Sequence, residues 1–297
     1  DRLAHGACLA LSLGAPRFHQ RQGFAPALGF HTCHVPMDVL EAAGVAVAGD
    51  EWRGLTGPDL AELPRLAAAC ERDTSGSELR TSAVCEWESA AEQSYALVCA
   101  PGERPIAYAR FRVRDGLEVT EALAATPDGV RAVIEFLVRL CREHRVARVE
   151  VQVAPEQPLA RALFHLGCPI ESSDYGGAAG LRVLDARALL ERLAPTWWRA
   201  LLFARHPAVS FDLVGEPWRL CFREGEPHVE ARRDERRHLE LPAGWIEGLL
   251  TGHRGGEAVS FGRESEFDED DRALLRALFP PRAATWSYGP LFELADD

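Results

Sequence analysis

Apolar residues recur along this chain in two rhythms, short strand-like runs and a helical period of 3.6. Ala7–Leu13 (Ala-Cys-Leu-Ala-Leu-Ser-Leu) is uncharged and mostly apolar, the pattern of a strand buried on both faces. Gly14 and Pro16 end that run, and Pro16 suits the first turn of a helix, where its missing N–H costs nothing. Gly23 supplies the left-handed position that stops the helix, and Phe24 opens a new extended segment. Phe30–Val35 reads as the continuation of this opening segment, 1–36. Residues 37–47 read as a connector of small residues and glycine.

A second stretch, 48–180, mixes both periods. Thr56–Cys70 has the chemistry of a helix start followed by helical spacing, with a kink or restart expected at Pro64. A polar loop over Asp73–Glu78 follows, and Arg80 to Trp87 starts another helix. Ser94–Ala100 reads as a strand. Ile106–Arg114 and Leu117–Leu123 flank Asp115-Gly116, a two-residue hairpin turn. Val130, Val133, Ile134, Leu137, Val138 and Cys141 then mark one face of an amphipathic helix. Arg148–Val153 is a strand, and Pro158–Leu166 a helix stopped by Gly167. Strand, helix, strand after a hairpin predicts a layered α/β domain with a parallel pair inside its sheet. Glu171–Gly180, with three glycines, reads as a turn or linker.

The last stretch, 181–297, has a different texture. Leu181–Asp185 is a short strand, and Ala186–Leu193 a helix ending before Pro195. Val209–Val214, Trp218–Arg223, His228–Arg232 and His238–Leu241 are short strands between glycine- and proline-bearing turns. Trp245–Leu250 is a short helix. Asp268 caps a final helix whose apolar face is Leu274, Leu275 and Leu278, and Pro280-Pro281 stop it. This is an α+β pattern.

Composition narrows the function classes. A 47% hydrophobic, 26% charged chain is of ordinary globular kind, and no run nears the ~20 apolar residues of a membrane helix. The formal charge of −12 argues against nucleic acid as a partner and is compatible with a cationic substrate. The eight cysteines include no Cys-x-x-Cys pair, so they read as reduced, buried thiols of a cytoplasmic protein. His31-Thr-Cys33-His34 invites a metal reading, but on a strand His34 faces away from the other two, and no metal is expected. No Gly-x-Ser-x-Gly nucleophile elbow occurs.

Phe18-His19-Gln-Arg-Gln-Gly23-Phe24, following a strand, resembles the closing motif of the GNAT N-acetyltransferase family, whose usual form is Phe-Tyr-x-x-x-Gly-Phe. The 48–180 stretch resembles a second, degenerate GNAT module. Its loop Thr126-Pro-Asp-Gly129-Val-Arg131 stands where that family holds the pyrophosphate of CoA in Gln/Arg-x-x-Gly-x-Gly/Ala. Only Gly129 matches. Pro127 removes a donor and Asp128 repels phosphate, so this copy is not expected to bind CoA. Residues 181–297 resemble the sterol-carrier-protein-like domain that closes Eis-like (enhanced intracellular survival) members of the family. The marks are Leu181-Arg-Val-Leu-Asp, Phe211-Asp-Leu and the late helix to Phe279. The expected fold is therefore α/β, a GNAT-like mixed sheet with flanking helices, followed by an α+β sterol-carrier-protein-like domain. The amino-terminal part of the first GNAT module, with its CoA loop, is expected upstream of Asp1.

What the resemblance implies is an acetyl-CoA-dependent N-acetyltransferase acting on a small-molecule amine or a lysine side chain, assembled as a trimer or hexamer. His19 stands where the family's tyrosine protonates the departing thiolate, and a neutral imidazole can relay a proton near pH 7. The alternative is a helix histidine without a role. Asp297 is the candidate base if the tail folds inward, because an ammonium must lose a proton before it attacks a thioester. Trp87 and Phe24 are the candidate walls of the amine pocket, Trp87 being equally a core tryptophan. The competing function is a non-catalytic scaffold that binds an apolar ligand or a partner protein.

Overall fold

In a computed structural model, the described residues are 7–13, 16–46, 52–70, 94–100, 104–113, 116–173, 179–203, 208–234, 237–241, 244–251 and 267–280. In chain order they form β1 (Leu9–Leu13), α1 (Pro16–Arg21), β2 (Ala25–Pro26), β3 (Phe30–Pro36), α2 (Met37–Ala42), β4 (Trp52–Gly54) and α3 (Gly57–Cys70). Next come β5 (Ser94–Cys99), β6 (Ala107–Val113), β7 (Leu117–Ala124), α4 (Pro127–His144), β8 (Arg148–Gln152), α5 (Pro158–His165) and β9 (Ile170–Ser173). The chain continues with β10 (Ala179–Val183), α6 (Ala186–Phe203), β11 (Ala208–Leu213), β12 (Glu216–Arg223), β13 (Glu226–Glu230), β14 (His238–Leu239), α7 (Trp245–Thr251) and α8 (Glu269–Leu278). Two compact units result, one from the described residues of 1–28 and 174–282, the other from those of 29–173.

The 29–173 unit is built on a seven-stranded sheet of order β4-β5-β6-β7-β8-β3-β9. All its pairs are antiparallel except β7 and β8, which run parallel with Glu118 facing Glu150 and Val119 facing Val151. The crossover between those two strands is α4, whose Phe136, Leu137, Val138 and Cys141 are buried against the sheet. Cys33, Val35, Ala109, Val119, Val149 and Val151 belong to the same core. Alternation along the strands sends their neighbours to the opposite face. There, Leu63, Leu66 and Ala67 of α3 pack with Val98, Tyr108 and Leu123.

Asp59 fixes the first turn of α3, accepting hydrogen bonds from the Thr56 N–H (2.8 Å) and the Thr56 hydroxyl (2.6 Å). Both Arg53 guanidinium nitrogens also donate to Asp59, which holds its carboxyl down at about 2. With its start fixed this way the helix runs unbroken through Pro64, without the expected restart. α6 likewise continues through Pro195, past the expected end near Leu193. The carbonyl that Pro195 leaves unbonded belongs to Glu191, on the exposed side of the helix, where water can take it.

Three further expectations change. The connector contains α2, with Leu40 fully buried, because Met37–Ala42 carries no glycine or proline and has one apolar anchor. The strand Phe30–Pro36, grouped from sequence with the opening segment, hydrogen-bonds β8 and β9 in the seven-stranded sheet. Between β6 and β7 the register pairs Val113 with Leu117, so three residues join the strands rather than two. A bulge at Thr120 shifts the same pair, since Arg110 faces Glu121 while Phe111 faces Val119.

The other unit holds a three-stranded sheet, β1-β10-β2, and a four-stranded sheet, β13-β12-β11-β14. Trp197 of α6 packs edge-on against Phe211 (5.8 Å between ring centres) and Phe279 (5.2 Å), joining α6, β11 and the end of α8 in one core. The Asp268 side chain accepts from the Asp271 N–H at 2.7 Å and starts α8, with Leu274, Leu275 and Leu278 buried, as the spacing predicts. Among the described residues no helix is long and apolar enough to cross a membrane.

Candidate functional site

The opening motif folds as strand, helix, glycine, strand. β1 feeds α1, Gly23 takes φ of +79° and donates its N–H to the Gln20 carbonyl at 3.0 Å, and β2 begins at Ala25. β10 lies between β1 and β2, antiparallel to both, pairing Leu181 with Leu11 on one side and Ala25 on the other. Arg182 of β10 reaches across to the end of α1 and donates to the Gln22 carbonyl at 2.9 Å. A cation at the carbonyl end of a helix both caps it and offsets its dipole.

His19 is placed on α1 and Phe24, half-buried, directly after the glycine stop. The Phe24 backbone sits close to Gly180. A Cβ added at Gly180 would stand 3.2 Å from the Phe24 Cβ and 3.2 Å from the Ala25 carbonyl oxygen, so that glycine permits the approach. The structure thus brings the His19 helix, Gly23 and Phe24 onto one small sheet. Trp87 and Asp297 lie outside the described residues. Arg182 was hidden in the sequence because Leu181-Arg-Val alternates as any strand does. Only the pairing of β10 beside β2 shows its target.

At the start of α4 the loop that resembles a pyrophosphate cradle is occupied by its own side chains. The Thr126 hydroxyl accepts the Gly129 N–H at 3.2 Å, the Thr126 carbonyl accepts the Val130 N–H, and Pro127 has none to offer. Asp128, exposed, pairs with Arg131 at 3.0 Å. Gly129 is there for another reason. A Cβ at that position would lie 2.3 Å from the Ile106 carbonyl oxygen, so the residue permits close packing of helix on strand. These residues do not fit a bound pyrophosphate.

Beside this blocked start runs a groove of about 770 Å³ between α4, α5 and the residues after α2. Its walls include Val45, Ala125, Val130, Ile134, Ala162 and Leu166, with Arg131 and Glu135 as the charged residues of the lining.

The remaining polar clusters are structural. On β3, His31 is within 2.7 Å of the Ser172 hydroxyl, and His34 meets Glu171 at 3.2 Å and Glu150 at 3.6 Å. Cys33, between them, points into the core, where burial and then the neighbouring Cys168 push its thiol up to about 12. Among the described residues no group of histidine, cysteine and carboxylate side chains is arranged to hold a metal ion. Ser210, His238 and Asp212 form a serine–histidine–aspartate line, with 3.0 Å from Oγ to Nδ1 and 3.5 Å from Nε2 to the carboxylate. Ser210, however, is wholly buried. Its hydroxyl donates to the Arg237 carbonyl at 3.1 Å and accepts from the Asp234 N–H at 2.9 Å. It ties Asp234, Arg237 and His238 to β11 and cannot reach a substrate carbonyl.

On α7, Glu247 is buried to 8% exposure, and desolvation raises its carboxyl above the ordinary range although the Val183 N–H bonds to it. α7 lies on β2 and β10, held by the Thr251 hydroxyl donating to the Ala27 carbonyl at 2.6 Å. An acid inside the apolar run Trp245-Ile-Glu-Gly-Leu-Leu was the signal that could have marked it.

No family profile and no curated protein sequence matches the chain. Its fold does match solved structures. A GCN5-related N-acetyltransferase from Anabaena variabilis superposes with a TM-score of 0.64 at 13% identity, over 94% of this chain and 71% of that one. A conserved Enterococcus faecalis protein described as a probable N-acyltransferase gives 0.68 at 13%, over 93% and 70%. Eis1 from Mycobacterium abscessus gives 0.54 at 15%, over 95% and 73%. At such identities the likeness shows a shared mixed α/β architecture.

Proposed function

We propose that the chain is an acetyl-CoA-dependent N-acetyltransferase acting on an amine, with polyamines, aminoglycoside-like molecules or lysine side chains as the acceptor class. The observation that supports this reading is the β1–α1–Gly23–β2 frame. It sets His19 on a short helix whose left-handed stop leads straight into Phe24. The fold shared with N-acetyltransferases over more than nine-tenths of the chain adds to it. In this reading the amine nitrogen bonds to the acetyl carbon as the carbon–sulfur bond breaks. The proton leaving the amine passes to the Asp297 carboxylate, and the sulfur receives one from the His19 imidazolium, which becomes neutral imidazole. Phe24 and Trp87 wall the amine pocket, and the acidic balance of the chain, −12, favours cationic acceptors. The same resemblance supports a sterol-carrier-protein-like origin for 181–297 and a homo-oligomer, trimeric or hexameric, in the cytoplasm.

Histidine in place of the family's tyrosine at position 19 and the longer, acidic tail past Phe292 favour a second reading, a non-catalytic scaffold of the same descent that binds an apolar ligand or a partner protein. Thiol release from acetyl-CoA, measured with a panel of polyamines and lysine peptides, separates the two. Turnover with at least one amine, falling about a hundredfold or more in His19→Ala, is the expected result. Absence of turnover with every amine removes the enzyme reading.

A further inference from the structure

We propose that the groove between α4 and α5 is a binding site for an uncharged, largely apolar small molecule that carries no phosphate. The groove belongs to the 29–173 unit alone, and the inference stands whether or not the acyl-transfer reading holds.

Three observations carry it. The first is size. About 770 Å³ falls within the roughly 300–1,000 Å³ of small-molecule pockets, far more than a packing defect of one or two side chains. The second is the lining. Val45, Val130, Ile134, Ala162 and Leu166 present hydrocarbon, and an apolar concavity of this extent gains by taking an apolar guest out of water.

The third is charge. Arg131 is held by Asp128 at 3.0 Å and lies 4.0 Å from Glu135, so the cation of the lining is balanced on the same helix face. At the start of α4 the Gly129 N–H is committed to the Thr126 hydroxyl and the Val130 N–H to the Thr126 carbonyl, and Pro127 has none to offer. α5 too begins with a proline, Pro158, at the groove edge. A nucleotide or acyl phosphate would find no net positive charge among these lining residues, which a neutral apolar body does not need.

The test is a fluorescence titration of the whole chain with Nile red, a neutral apolar dye, followed by competition with acetyl-CoA. Saturable one-to-one binding is expected, with no displacement by acetyl-CoA at millimolar concentration. Ala162→Trp, which fills the groove from α5, and Ala46→Trp, which fills it from the loop after α2, should each weaken binding tenfold or more. Far-UV circular dichroism and melting check that each variant is folded, and the Ala46 change falls on an exposed residue outside any helix or strand. No saturable binding overturns the proposal. So does unchanged affinity in a folded filled variant, or displacement of the dye by acetyl-CoA.

Discussion

Glu247 carries a carboxyl into an interior otherwise made of Ile246, Leu249 and the strands beneath α7, and burial holds its proton more tightly than water would. A folded-state value above the unfolded one means that the native state binds the extra proton. The associated stability is complete below the ordinary value near 4.5 and is lost as pH rises through the raised one. Glu247→Gln keeps the shape and removes the ionisation. Urea unfolding should show the variant more stable than the parent at pH 7–8, with the gap closing below about 4.5. A parent more stable than the variant at pH 7–8, with that advantage vanishing in acid, would instead place a needed negative charge at Glu247. His19 and Phe24 were readable because motif spacing puts them on either side of a glycine stop. Arg182 was not, since nothing local in Leu-Arg-Val tells which carbonyl lies opposite, and for Glu247 the acid within an apolar run signals burial without telling which strand covers it.

Elements were legible wherever a clean period met a clear cap. α4 and α8 follow their apolar spacing, and Thr126 and Asp268 start them as side-chain caps. The elements that escaped did so through tertiary override. α3 and α6 absorb an internal proline because packing and a well-fixed first turn outweigh one lost hydrogen bond. The start of α4 gives a prediction whose sign separates two views of Gly129. On propensity alone, alanine in a helix is about 1 kcal/mol better than glycine. A Cβ at that position, however, meets the Ile106 carbonyl oxygen at 2.3 Å, a backbone atom fixed by the strand that follows. Gly129→Ala should therefore destabilise by about 1–3 kcal/mol in chemical unfolding. A stabilised variant would mean that this helix–strand contact is loose in solution.

Across the whole molecule, the mixed architecture was readable from the alternation of periods, whereas the partition was not. Strand pairing over long separations leaves no local trace. β1 and β2 take β10 as their shared neighbour, and β3 joins β8 and β9. Residues 1–28 are thus structural for the 174–282 unit, supplying both flanking strands of β10 and the Ala27 carbonyl that anchors α7. Deleting them should expose Leu181 and Val183, lower the melting temperature and speed proteolysis within 174–282. Equal protease resistance with and without them would show β10 and α7 to be held by other means.

The position of β10 also sets an order of events during synthesis. Leu13 faces Ala179, so the opening strand leaves the ribosome well before its mate exists. At ~5–20 residues per second the 165 residues between Leu13 and Ala179 take on the order of 8–33 s to make. For that interval the edge of Leu9–Leu13 that β10 will cover waits for this mate. Until β10 emerges, this apolar ribbon must be kept apart from other newly made ribbons.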